Sequence, residues 1–500
     1  MSDPLQQTTR YGYDSTGNLL SLTDALNRTT RYQYDALNRR IGMTNALGDT
    51  ATTDYDAVGN LTATTDELGR TTRLSYDARN WLTGITDPLG QTTTTTYDAI
   101  GNVITVTDAL QQQTRYTYDG LYRLQQETDA LGKATTYTYD PEGNLLSLTD
   151  SVNNTTTYAY DALDHRVSDT NTLGHRRSYR YDAVGNQVGL TDRNGRRLTY
   201  TYDGLDRQTT EQWLDGAGQP IYGLSYTYDA ASQLLSAADP NSVYGYTYDL
   251  AGRLTKVDNA GTVGVPNVVF DYEYDAVNNL RVVRDRINGL SRGVEEFSYD
   301  ALNRTTRITQ SGNGVSQKRV DMGYDAASQM TNLTRYSDLN GTQQVAQTDY
   351  SYDLAGRLTN LSHSHLDTVL AAYGLTYDAA NRITRITSAD GISDYTYDER
   401  DQLLGADYDY QDDEVYSYDS NGNRTNNGYA TGGNNQLLSD GVYTYDYDNE
   451  GNRTRRTNIA TGEVTQYGWD YRNRLVEVVE KDATGTVTQQ VIYIVLSIKK

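Results

Sequence analysis

Tyr-Asp recurs in this chain at an unvarying interval. Tyr13-Asp14, Tyr34-Asp35, Tyr55-Asp56, Tyr76-Asp77, Tyr97-Asp98, Tyr118-Asp119, Tyr139-Asp140, Tyr160-Asp161, Tyr181-Asp182 and Tyr202-Asp203 each lie 21 residues from the next. Each pair is answered ten residues later by a second mark, such as Thr23-Asp24, Thr65-Asp66, Thr86-Asp87, Thr107-Asp108 or Thr149-Asp150. The unit is therefore two similar halves, each a short β-prone run ending in aspartate and a turn. A fixed period in this range is the mark of a repeat architecture, and it outranks the usual estimate of domain number from length.

The turn chemistry is explicit. Asp14-Ser15-Thr16-Gly17, Asp56-Ala57-Val58-Gly59 and Asp87-Pro88-Leu89-Gly90 carry aspartate first and glycine fourth. This is the type I pattern, in which the carboxylate accepts backbone N–H groups and glycine takes the left-handed position. Where glycine is missing, asparagine stands in (Asn27, Asn38, Asn303), as the residue next most tolerant of positive φ. The runs between turns are rich in Thr, Tyr, Val, Ile and Leu, which is strand composition.

A three-residue loop at the Asp35 turn places Tyr34 opposite Arg40 and, in a regular ladder, Tyr32 opposite Gly42. The same register sets Tyr13 against Leu19, Tyr55 against Leu61, Tyr76 against Leu82 and Tyr139 against Leu145. One face would then carry Tyr, an aliphatic residue and something small.

After residue 210 the spacing loosens. Tyr-Asp continues at Tyr228, Tyr248, Tyr274, Tyr299, Tyr324, Tyr352, Tyr377, Tyr397, Tyr418 and Tyr447, with Trp469-Asp470 as a variant, at intervals from 20 to 29. The six-residue Tyr-to-aliphatic spacing survives, as in Tyr228/Leu234 and Tyr377/Ile383, so the extra residues are expected in longer hairpins. Gly and Pro in Asp215-Gly216-Ala217-Gly218-Gln219-Pro220 fit that reading.

Three segments follow: a regular 21-residue array over 1–210, an array with longer hairpins over 211–489, and an apolar β-prone tail over 490–500. The run Val491–Ile498 reads as an association-prone edge. The chain opens at a turn, since Asp3-Pro4-Leu5-Gln6-Gln7 aligns with Asp108-Ala109-Leu110-Gln111-Gln112, so it reads as beginning within a repeat.

Twenty-one marks with two strands each give roughly 42 strands, a sheet about 200 Å wide at ~4.8 Å per strand. Open sheets rarely exceed ~10 strands without curling. The fold class expected is all-β: a continuous antiparallel sheet of tandem hairpins wound into a spiral.

Composition narrows the function. Cysteine is absent, which removes disulfides and thiolate metal sites. A net charge of −23 argues against nucleic acid as a partner. No apolar run approaches the ~20 residues of a membrane helix, and Met1-Ser2-Asp3-Pro4-Leu5-Gln6-Gln7 has neither the basic start nor the apolar core of a signal peptide. Aromatic content is almost all tyrosine, 46 Tyr against 2 Phe and 3 Trp, which suits a half-wet sheet surface.

Close carboxylates would in principle serve acid–base catalysis, but one aspartate per turn is what turn chemistry itself requires. Asp412-Asp413-Glu414 lacks the spacing of a calcium loop, and His363-Ser364-His365 has no acidic or thiolate partner at metal-site spacing. No catalytic residue, cofactor or metal is expected.

The motif Tyr55-Asp56-Ala57-Val58-Gly59-Asn60-Leu61, followed by Thr65-Asp66-Glu67-Leu68-Gly69, resembles the Rhs/YD-repeat family, and the likeness covers nearly the whole chain. Relatives include Rhs polymorphic toxins, the C component of insecticidal toxin complexes and the teneurins. The resemblance implies a hollow β-cocoon enclosing a toxic domain, with a toxin domain or a neighbouring Rhs polypeptide as partner and delivery outside the cell. No counterpart of the family's self-cleaving core region or variable toxin is found here, so a non-enzymatic shell fragment is expected. The alternative is a carbohydrate-binding surface protein, because ranks of tyrosine can stack on sugar rings.

Overall fold

The computed structural model describes residues 1–493. Among these, forty-four strands follow one another with no α-helix, and a single 3-10 turn lies at Gly433–Asn435. Every strand within a sheet pairs antiparallel with its neighbour in sequence, from Arg10–Tyr13 against Leu19–Thr23 onward. Thirty-seven strands form one open sheet that ends at Glu414–Val415. A seven-stranded sheet runs from Tyr429–Thr431 to Val487–Ile492. The expected tail lies outside the described residues from position 494 onward.

The two hairpins of each repeat differ. Thr-Asp hairpins are regular: Thr23 faces Thr29, Leu22 faces Thr30 and Ser21 faces Arg31. Tyr-Asp hairpins are not. Tyr34 faces Arg40 as expected, but Gln33, not Tyr32, faces Gly42, and Tyr32 faces Met43. Ile41 is the extra residue of a β-bulge, and the same shift falls at Tyr55, Tyr118 and Tyr139.

The correction changes the faces. Tyr and aliphatic residues share one side (Tyr32–Met43–Ala51, Tyr137–Leu148, Leu190–Leu198). The small and polar residues (Gln33–Gly42–Thr52, Ser75–Gly84–Thr94) lie on the other. A bulge bends its strand and raises the local twist. In the regular array one bulge falls in each repeat, on the Tyr-Asp hairpin, and supplies a cumulative bend in one sense; later, bulges also occur on the hairpins between, as at Leu214 and Tyr336.

That bend winds the sheet back onto itself. Side chains meet across sequence separations of 246 to 285 residues, so one coil holds that much chain and a second coil lies on the first. The wall is one sheet thick. Its accessible surface is 27471 Å², against roughly 18,000 Å² for a compact monomer of this mass. Among the described residues only nine apolar side chains are buried; five of them, Leu198, Trp213, Leu224, Tyr226 and Ala237, form one cluster where the coils meet.

Candidate functional site

Each turn is built on its aspartate. Asp35 Oδ1 accepts the N–H groups of Leu37 and Arg39 at 2.9 Å each, and Oδ2 takes Arg39 Nε at 2.7 Å. Asn38 closes the turn at φ 60°, whereas Gly59 does so at 103°. Hydrogen bonds from Asn18 and Thr16 pull the Asp14 carboxyl down to about 2, and the Arg207 side chain does the same for Asp203. The aspartates of the repeat motif are thus bonded as turn acceptors.

The tyrosine is the second device. Tyr34 Oη donates to the carbonyl of Leu19 at 3.1 Å, where the preceding bulge interrupts the ladder. The bond recurs from Tyr118 to Val103, Tyr139 to Leu124, Tyr274 to Leu254 and Tyr447 to Leu437. At the variant repeat, Trp469 Nε1 donates to Arg453 O at 2.8 Å. Phenylalanine lacks this donor, which explains why tyrosine stands in the Tyr-Asp pairs.

The third device joins turn to turn. Arg39 Nη1 donates to Asp56 O at 2.8 Å, and its guanidinium sits 4.8 Å from the Tyr55 ring centre. Arg123 repeats this with Asp140 and Tyr139, and Arg357 with Asp378 and Tyr377. Where asparagine replaces arginine, Asn60 Nδ2 reaches Asn80 Oδ1 at 2.9 Å.

The same chemistry forms the seam between coils. Arg28, on a Thr-Asp turn of the first coil, donates to Asp300 O at 3.1 Å and to Asn303 Oδ1 at 2.8 Å on a Tyr-Asp turn of the second. Arg70 reaches Gln329, Arg400 pairs with Asp129, Ser151 with Ser420, and Arg196 with Asp470 and Asn473. At its far end the seam turns ionic. Glu450, whose side chain is fully buried, meets Arg177 and Arg193, and Arg193 also pairs with Asp169. Arg472 pairs with Glu211 nearby, and Tyr471 stacks on Trp213 at 5.3 Å and 3°. A cleft of about 560 Å³ opens beside them, lined by Arg177, Tyr200, Glu211 and Arg472 among others.

The other sequence candidates stay apart. His363 Nδ1 lies 2.9 Å from Thr348 Oγ1, while His365 Nδ1 donates to Val345 O. Asp413 accepts the Tyr408 N–H, and Glu414 takes the Tyr416 hydroxyl. Among the described residues, no cluster of His, Asp and Glu is arranged to hold a metal, and no helix is long and apolar enough to cross a membrane.

The seam residues escaped sequence reasoning. Their signal is present at the second residue after each Tyr-Asp aspartate, which is aliphatic at Leu37, Val58 and Leu121 but Arg400, Asn421, Glu450 and Arg472 late in the chain.

A family profile described as RHS Repeat matches residues 13–50, 55–96, 97–134, 123–152, 139–177, 181–212 and 228–263. A second, described as Teneurin YD-shell, matches residues 265–495. The chain belongs to the Rhs/YD-repeat family. No curated protein sequence matches it.

Among solved structures, this YD-repeat chain is similar to the crystal structure of TcdB2-TccC3-TEV, with a TM-score of 0.61 at 16% identity over 97% of its length. It is also similar to TcdB2-TccC3-Cdc42, with a TM-score of 0.53 at 14% identity over 97%. TcdB2-TccC3 without its hypervariable C-terminal region gives 0.51 at 14% over 96%. These identities show a shared fold. The chain spans 28%, 30% and 32% of those three larger chains, under a third of each.

Proposed function

We propose that this chain is a non-catalytic wall segment of a YD-repeat cocoon, whose role is to enclose a toxic polypeptide. One observation carries the reading: the wound sheet is a single layer with about one and a half times the surface of a compact protein of its mass. Such a wall spends its chain on enclosing volume rather than on a core. The turn aspartates support the absence of catalysis, since they are bonded within their own turns.

The partner is a neighbouring YD-repeat polypeptide. The Tyr-Asp turns of the first coil form a rim with nothing stacked on it, where Leu37, Val58, Leu121 and Val184 are 63–74% exposed. It has the turn chemistry that docks in the second coil. The sugar-binding alternative has less support, since the hydroxyls of the Tyr-Asp tyrosines Tyr118, Tyr139 and Tyr160 are bonded to the wall's own carbonyls.

Protease protection tests enclosure. An unfolded, protease-sensitive passenger fused to this chain, produced with a neighbouring YD-repeat polypeptide, should be cut at least tenfold more slowly than the free passenger. Equal cutting would reject the reading.

A further inference from the structure

The wall is not equally continuous everywhere. Between Val415 and Tyr429 no strand of either sheet runs; a lone Tyr-Asp hairpin lies there, bridged at Tyr418 and Arg424 and closed by the Thr425 N–H on the Ser417 carbonyl. The seven-stranded sheet beyond it shares no strand pairing with the main sheet. Its attachments to the first coil lie across the seam, where buried ions are added to neutral contacts such as Arg196 with Asp470 and Asn473 and to the stack of Tyr471 on Trp213. Glu450 is enclosed by Arg177 and Arg193, and Glu211, itself 6% exposed, is gripped by Arg472.

A strand ladder is continuous and fails only by unfolding. Ionic contacts on a sheet that shares no ladder with its neighbour, opposite a connector of one lone hairpin, make a different object. A buried carboxylate facing guanidinium groups is stable only while both partners stay together, because either alone is an uncompensated charge away from water. Opened together, both become hydrated, so the contact has two states, sealed and parted. Interfaces of this kind are bistable rather than continuously deformable.

We propose that the seven-stranded sheet, Tyr429 to Ile492, is a hinged panel. It turns as one body about residues 416–428 and is latched shut by the Glu450–Arg177–Arg193 and Glu211–Arg472 contacts. Opening would breach the wall while leaving the main sheet intact. The motion follows from the sheet break and the latches, whatever the wall encloses.

Native-state hydrogen exchange on the unmodified full chain, at denaturant concentrations below unfolding, tests it directly. Panel amides should share one opening event that is at least tenfold more populated than the opening of the main sheet. The variant Glu450→Gln combined with Glu211→Gln should raise panel exchange at least another tenfold and leave residues 29–149, which lie outside the panel's seam, unchanged. Because the chain has no cysteine, spin labels at Leu205→Cys and Ile459→Cys report the same motion. The double glutamine variant should add a longer distance to the single one of the parent. If panel and main sheet exchange together in the parent, or the variant changes neither exchange nor distance, the hinged panel is wrong.

Discussion

The Tyr-Asp turns of the first and second coils share one skeleton and meet different fates. In both, aspartate anchors the loop, a left-handed residue closes it, and arginine or asparagine ties it to the next turn. In the first coil the second residue after the aspartate is exposed and aliphatic in most turns, as at Leu37, Leu121 and Leu205, with Thr16, Arg79 and Glu142 as polar exceptions. In the second coil that position is Val277, Leu302, Ala327, Ala380, Asn421, Glu450 or Arg472, and none of these is exposed. The skeleton therefore makes the coil, and one variable position decides how a rim meets its neighbour.

Acid should act on both coils at once and have the largest effect. The carboxyls of Asp14 and Asp203 titrate near 2 in the fold against 3.8 when free, and Asp35 and Asp119 are displaced the same way by backbone bonds from Arg39 and Arg123. The folded state thus binds fewer protons than the unfolded state. Its stability is intact above about pH 4 and is lost as pH falls towards about 2. A circular dichroism titration should lose the β signal in that window. Loss beginning near pH 6 would point to other groups.

Trp213→Ala strikes the buried cluster where the coils meet. It should cost about 3–5 kcal/mol, read as a fall in denaturant midpoint. A change below ~1 kcal/mol would mean that the Trp213–Tyr471 stack does not hold the coils together.

The rims can be compared directly. Leu302 lines a cleft with Leu22, Ala25 and Arg28 of the opposite coil, so Leu302→Asp should cost about 1–3 kcal/mol. Leu121→Asp, on the uncovered rim, should stay within about 0.5 kcal/mol. Equal effects would erase the distinction between docked and free turns.

Smallest is the loss of one hydroxyl. Tyr139→Phe removes the bond to Leu124 O and should cost about 1 kcal/mol. Tyr137→Phe, two residues away on the same face, should be neutral to within about 0.5 kcal/mol.

Much of this was legible in the sequence. The period gave strand, turn and winding, and the Tyr34–Arg40 pairing came from loop length alone. The bulge at Ile41 did not, because one inserted residue leaves the 21-residue period unchanged. Its trace was the constant tyrosine of the Tyr-Asp pair, whose hydroxyl serves the bulge before it, as at Tyr34, Tyr118 and Tyr139. The 29-residue interval from Tyr418 to Tyr447 looked like another long hairpin and is instead the break between sheets. Asn421-Gly422-Asn423 and Asn426-Asn427-Gly428 are its compositional sign. The seam joins residues some 250 to 285 positions apart, and no local pattern encodes which turns a winding sheet brings together.

Distances across that seam test the account most directly. Spin-label pairs at Leu26→Cys with Leu302→Cys, and at Leu131→Cys with Glu399→Cys, should each give a single short separation, because their turns stack in adjacent coils. A pair at Leu26→Cys with Leu131→Cys, far apart along the same rim, should give a long one. If the first two pairs are as far apart as the third, the sheet does not wind onto itself and the coil is wrong.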